Sequence, residues 1–213
     1  MLDIPVVDDS MVAEKLTMAE SVDCMERAFQ EHAKGSLSAP ARFGSDLGVG
    51  QLMFTAGGCR SAGSPLGFRV YDMKQLGSPR RSELVAVFSG DDGGLRGLVV
   101  GPYLGALRTG AIGGVAVKSL SRPDATRLAI VGAGTQARTQ LMAASSVRDF
   151  EDIQIYSRTA SRLQAFCEEM SGAIGKPVTP SGSAREAVEN ADVVVCATTS
   201  ETPVIRFEWL KSG

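Results

Sequence analysis

Apolar positions change their spacing along the chain, and each change predicts a different kind of element. Between residues 10 and 34, Met11, Val12, Leu16, Met18, Val22, Met25, Ala28 and Phe29 recur around a cap-like Thr17-x-x-Glu20. That pattern predicts a short helix, a break and an amphipathic helix ending near Gly35. Residues 35–67 are rich in Gly, Ser, Pro and Ala, with a strand-like run at 51–56 set between turns. Strands are expected at 66–71, 83–88 and 95–100, the last two joined as a hairpin across Asp91-Asp92-Gly93-Gly94. This half therefore reads as antiparallel and of α+β type. From Leu107-Arg108-Thr109-Gly110-Ala111 the period becomes helical again, through Ile112, Val115, Ala116, Ser119 and Leu120. Thr109 is expected as the N-cap of this helix, with Arg108 beside its positive end, where the two could grip an anion. The alternative is a surface arginine next to an ordinary cap.

From Arg127 onward strand and helix alternate at short intervals. Strands are expected at 127–132 and 153–156, a short one at 177–178, and another at 193–197, with helices near 135–146, 161–171 and 184–189 between them. Such alternation predicts a parallel βαβαβ array. Its first turn reads Gly132-x-Gly134-x-x-Ala137. In a dinucleotide loop the first glycine permits the tight turn and the second lets backbone N–H groups approach a pyrophosphate. The small third residue lets the helix pack close to the strand. Thr135 and Gln136 open that helix. After the second strand, where a carboxylate would bind a free ribose diol, stand Ser157-Arg158-Thr159. Two hydroxyls and a guanidinium suit a 2′-phosphate, which favours NADP(H) with NAD(H) still possible, unless Arg158 simply points to solvent. Ala197, Thr198 and Thr199 end the last strand, where a nicotinamide and its ribose would cross.

Composition narrows the classes. The chain has 213 residues, 44% of them hydrophobic, and a net charge of −2, as expected for a globular domain or two small ones. Arg80-Arg81 is the only basic cluster and is too short to track a nucleic-acid backbone. Neither a basic leader nor an apolar stretch of membrane-spanning length is present, so a cytoplasmic protein is expected, with no membrane partner. The four cysteines form no Cys-x-x-Cys pair, and reduced thiols are expected. His32 is the only histidine, so no His-based metal site or Ser-His-Asp triad is expected, and acid–base chemistry falls to carboxylates, lysines or water.

Taken together, Thr17-Met18, the Leu66-Gly67-Phe68-Arg69-Val70 strand, Arg108-Thr109-Gly110-Ala111, the Gly132–Ala137 loop and Ser157-Arg158-Thr159 resemble the ornithine cyclodeaminase/mu-crystallin family over essentially the whole chain. The resemblance implies an α/β protein: an α+β antiparallel substrate-binding and dimerisation domain over residues 1–120, then a Rossmann-type NAD(P)-binding domain over residues 121–213. It implies Arg42 and Arg108 as the pair holding a substrate carboxylate, Arg108 also lying near the cofactor. It places Gly134, Thr135 and Gln136 at the pyrophosphate and Ser157, Arg158 and Thr159 at the 2′-phosphate.

Two departures stand out. Many family members carry a lysine where this chain has Arg69, and guanidinium does not readily release a proton, so Arg69 is expected to bind the carboxylate or to be replaced in its role by water. Family members of usual length continue past the position of Gly213 with further Rossmann strands and the aspartate of cyclodeaminase chemistry, so a Rossmann domain incomplete at its C-terminus is expected. The leading expectation is an NAD(P)H-dependent reductase of small cyclic imino acids acting as a homodimer. An ornithine cyclodeaminase or alanine dehydrogenase, and a non-catalytic NADPH-binding or inactive dimerising protein, are the alternatives. The catalytic residues are left unassigned.

Overall fold

The computed structural model describes residues 4–61, 63–75, 78 and 82–212; Arg80-Arg81 lies outside them. The chain divides into two compact units, Met1–Thr17 with Cys24–Gly105, and Met18–Asp23 with Ala106–Gly213. The division between the units falls inside a helix, between Gly105 and Ala106.

In chain order the first elements are β1 (Val6–Asp8), α1 (Asp9–Lys15), α2 (Met18–Ala33), β2 (Leu37–Ser38), β3 (Phe43–Asp46), β4 (Gln51–Cys59), β5 (Pro65–Asp72), β6 (Glu83–Ser89) and β7 (Leu95–Val100). The helices and the strands from β4 onward lie where the pattern predicts them. These strands form a seven-stranded sheet of order β1-β7-β6-β5-β4-β2, with β3 also on β4. Every pairing is antiparallel but one: β1 runs parallel to β7. The wholly antiparallel expectation is corrected there. β1 comes from far upstream, so no hairpin turn dictates its direction. β3 escaped notice because Phe43-Gly44-Ser45-Asp46 has a single apolar residue and no alternation.

α3 spans Tyr103–Leu120 and so begins well ahead of the expected cap at Thr109. Thr109 therefore lies inside the helix and is not its N-cap. The cap comes from far away in sequence: an Asp9 carboxylate oxygen accepts the Tyr103 N–H at 2.9 Å across 94 residues. Gly101, at φ 125°, turns the chain out of β7, and Pro102 leads into the first turn without needing an N–H partner.

The second unit contains β8 (Arg127–Val131), α4 (Thr135–Val147), β9 (Asp152–Tyr156), α5 (Ala160–Ile174), β10 (Thr179–Pro180), α6 (Ala184–Val188) and β11 (Val193–Cys196). Its sheet is parallel throughout, in the order β10-β9-β8-β11. β8 is central, and its apolar run is buried on both faces. Leu128 and Ile130 pack with Leu141, Ile153, Ile155 and Phe166, while Ala129 and Val131 pack with Ala187 and Val188. A continuous apolar run rather than an alternating one is what a two-sided parallel strand requires. β10 starts two residues later than expected, because the Val178 N–H is taken by the Ser171 hydroxyl at the end of α5 and its side chain fills the core. Among the described residues no helix is long and apolar enough to cross a membrane.

Candidate functional site

Within the second unit the strand order reverses at β8, since β9 and β10 lie on one side of it and β11 on the other. Ligands of open α/β sheets bind in the crevice that this reversal leaves at the carboxyl ends of the strands. Backbone hydrogen bonds draw three chain segments together there. The Gly132 N–H donates to the Tyr156 carbonyl at 2.8 Å, and the Ala197 N–H donates to the Val131 carbonyl at 2.8 Å. The glycine loop is thereby flanked by Ser157 on one side and Thr198 on the other, as their places at the strand ends require. Gly132 sits at φ 125°, and a Cβ there would collide with the Ala197 carbonyl oxygen, so the tight turn admits no side chain.

The loop fits an anion. Gly134 is the N-cap of α4, no side chain caps the helix, and its first turn holds no acidic residue. A Cβ built on Gly134 would meet nothing within 4 Å, so glycine here answers to no packing demand of the chain and leaves the approach to the helix N-terminus open. Gly134, Thr135 and Gln136 are exposed, and Ala137 is fully buried where α4 crosses the sheet. Thr159 is likewise an N-cap whose side chain makes no capping bond, and Arg158 beside it is exposed. Thr198 and Thr199 are exposed after β11.

Arg138, in the first turn of α4, is engaged away from the loop. It forms a fork with Glu169 at 2.7 and 2.6 Å and lies over the Phe166 ring. The pairing pushes Arg138 up and Glu169 down from their ordinary pKa values. A hollow lined by Arg127, Asp152, Gln154, Glu186 and Asn190 opens at the amino ends of β8 and β9, the opposite edge of the sheet. Its two carboxylates disfavour a pyrophosphate.

Arg108 and Thr109 also belong to this unit, on α3. Arg108 is exposed, and the Thr109 carbonyl accepts from the Gln140 amide of α4 at 3.1 Å. Their link to the loop is thus a helix-to-helix contact and not a shared N-cap.

Arg42 and Arg69 lie in the first unit. Arg42 is exposed just before β3. Arg69, on β5, forms an ion pair through both Nη2 and Nε with Glu83 Oε2, the Nε bond being 2.6 Å, and its guanidinium lies 4.4 Å from the Tyr71 ring centroid. Glu83 is the residue that sequence reasoning missed; its side chain is only 2% exposed. The signal was a carboxylate opening the apolar strand 83–88, but the pairing is diagonal, since Arg69 faces Val85 and Glu83 faces Tyr71. Gly105 lies directly on this pair, where a Cβ would come within 2.8 Å of Arg69 Nη2.

Comparison with known proteins gives a consistent set. The sequence profile of the ornithine cyclodeaminase/mu-crystallin family matches residues 5–213. Delta(1)-pyrroline-2-carboxylate reductase of Bacillus cereus is 32% identical over 203 residues, covering 93% of this chain and 62% of that protein. The solved structure of Delta(1)-pyrroline-2-carboxylate reductase from Thermococcus litoralis, in complex with NADH and L-proline, matches with a TM-score of 0.89 at 30% identity, over 99% of this chain and 67% of that one. An archaeal alanine dehydrogenase dimer with bound NAD matches with a TM-score of 0.85 at 26% identity, over 99% and 65%. The chain thus spans about three fifths of the length of its Bacillus cereus relative.

Proposed function

The chain belongs to the ornithine cyclodeaminase/mu-crystallin family, and from that premise we propose that it serves an NAD(P)H-dependent reductase of small cyclic imino acids, of the pyrroline-2-carboxylate type. The observation that carries this reading is the uncapped N-terminus of α4 at Gly134, at the switch point of a parallel sheet. Its support is the likeness to a reductase whose structure holds NADH and L-proline.

A bound nicotinamide dinucleotide would supply the hydride. Gly132, Gly134, Thr135 and Gln136 hold its pyrophosphate, and Ala197, Thr198 and Thr199 line the nicotinamide end. Ser157, Arg158 and Thr159 take the adenosine ribose. With no carboxylate among them, and with Arg158 exposed, these residues favour the 2′-phosphate of NADPH over the free diol of NADH. Arg42, Arg69 and Arg108 are the carboxylate-binding groups, so catalysis by the chain's own residues is mainly orientation. Arg69 takes this role only through the donors that Glu83 leaves to it. A guanidinium held by a buried carboxylate is no proton donor, so the nitrogen is protonated before the substrate binds.

The first domain is assigned to substrate binding and to pairing with a second copy, and the second to the cofactor. The setting is cytoplasmic. The test is oxidation of NADPH and NADH with pyrroline- and piperideine-2-carboxylate. Turnover with NADPH preferred is expected; cofactor binding without turnover of any imine would leave a binding protein instead, and ammonia release from ornithine without added reductant would make it a cyclodeaminase.

A further inference from the structure

α3 and α4 approach backbone to backbone. A Cβ on Gly110 would run into the Thr139 main chain, one on Gly114 would collide first with a Val22 methyl group of α2 and then press on Ala143, and one on Gly113 would collide with the side-chain amide of Gln140. Gly110 and Gly114 are met by main chain or by a methyl group, as expected of plain packing. Gly113 is different, because the notch it leaves holds a polar side chain. The Gln140 Nε2 donates to the Thr109 carbonyl at 3.1 Å.

That carbonyl lies inside α3, where the helix itself supplies an N–H partner four residues on. The bond from Gln140 is therefore additional to what the helix needs, and an apolar side chain of the same length would fill the notch without fixing a rotamer-rich amide. What the amide adds is register. Small-residue packing sets how close two helices come and tolerates sliding, whereas a hydrogen bond to one named carbonyl fixes their relative position. Arg108 precedes that carbonyl by a single residue, and α4 begins at the glycine loop one turn before Gln140.

We infer that Gln140 is a positioning residue, which holds Arg108 in register with the dinucleotide loop so that the guanidinium meets the substrate carboxylate beside the bound cofactor. This rests on the reductase reading above. Gln140 touches neither ligand and acts through Thr109.

The experiment compares the full chain with Gln140→Met, which keeps length and volume and drops the donor. NADH affinity, the affinity of the NADH-loaded protein for L-proline, and the thermal midpoint are measured on both. L-proline binding is expected to weaken about tenfold, while NADH affinity moves less than about twofold and the midpoint less than about 2 °C. Unchanged L-proline affinity would overturn the inference. So would parallel loss of both ligands, or a midpoint lowered by more than about 5 °C, since either makes Gln140 a packing residue. Failure of the unsubstituted chain to bind L-proline in the presence of NADH would instead remove the reductase reading, and the inference with it.

Discussion

In the parallel sheet Leu128, Ala129, Ile130 and Val131 are buried in succession, because apolar clusters lie on both of its faces. In the antiparallel sheet most of β4 and β5 is half-buried, and Phe43 on β3 keeps 63% of its surface exposed while stacking on Phe54. The first arrangement supplies a closed core, and hydrogen bonds from Gly132 and Ala197 tie the glycine loop to its strands. The second has a buried ion pair, Arg69–Glu83, and apolar side chains facing outward. The difference teaches that burial on both faces ties the glycine loop after β8 to its neighbouring strands, whereas the first unit leaves apolar side chains at its surface.

The sharpest way to break this contrast is at Gly132. Replacing it with valine forces a side chain onto a positive-φ residue and into the Ala197 carbonyl, and a loss of about 4 kcal/mol, read by thermal unfolding, is expected together with loss of NADH binding. Glu83→Ala should cost about 3 kcal/mol by leaving Arg69 in place without its buried carboxylate, yet NADH titration below the lowered midpoint should give nearly unchanged affinity. Equal damage to NADH binding by both variants would erase the distinction between the units.

Asp192 offers a milder probe of the second unit. Its carboxylate pairs with Lys211 and accepts the Thr126 and Arg127 N–H groups, which hold it well below the usual carboxylate range, and it also pairs with Arg122. A carboxyl depressed in the folded state lends stability above its unfolded value, about pH 4, and loses it as pH falls below that. Asp192→Asn should therefore cost about 2 kcal/mol at pH 7, and the gap to the parent should close on acidification, as followed by denaturant midpoints across pH.

Arg158→Ala should leave the midpoint in place and weaken NADPH binding about tenfold with NADH unaffected, checked by parallel titrations. Phe43→Asp is also expected to be mild, changing stability by less than about 1 kcal/mol because the ring is largely solvated already. Its effect should appear in sedimentation, as weaker self-association.

The second unit was the more legible from sequence. Its strands are buried on both faces and its turn chemistry is local, so Leu128–Val131 followed by Gly132-x-Gly134-x-x-Ala137 carries the whole βα junction within a few residues. What escaped depends on distant partners. The start of α3 is set by Asp9 from the far end of the first unit, which made Thr109 look like a cap. The Arg69–Glu83 pair depends on a diagonal register between strands, and the Gln140–Thr109 bond on a notch that becomes visible only when two helices are packed. β1 and β3 were too short to show a period.

The central claim is that the open N-terminus of α4 holds a nicotinamide dinucleotide, and Gly134→Val tests it most directly. The position has ordinary extended backbone at φ −102° and open space around its Cβ, so the fold should tolerate the change. Titration of NADPH and NADH into the parent chain should give saturable binding, and the variant should bind both at least tenfold more weakly with its thermal midpoint within about 2 °C. Equal binding by the variant, or no binding by the parent, would contradict the account.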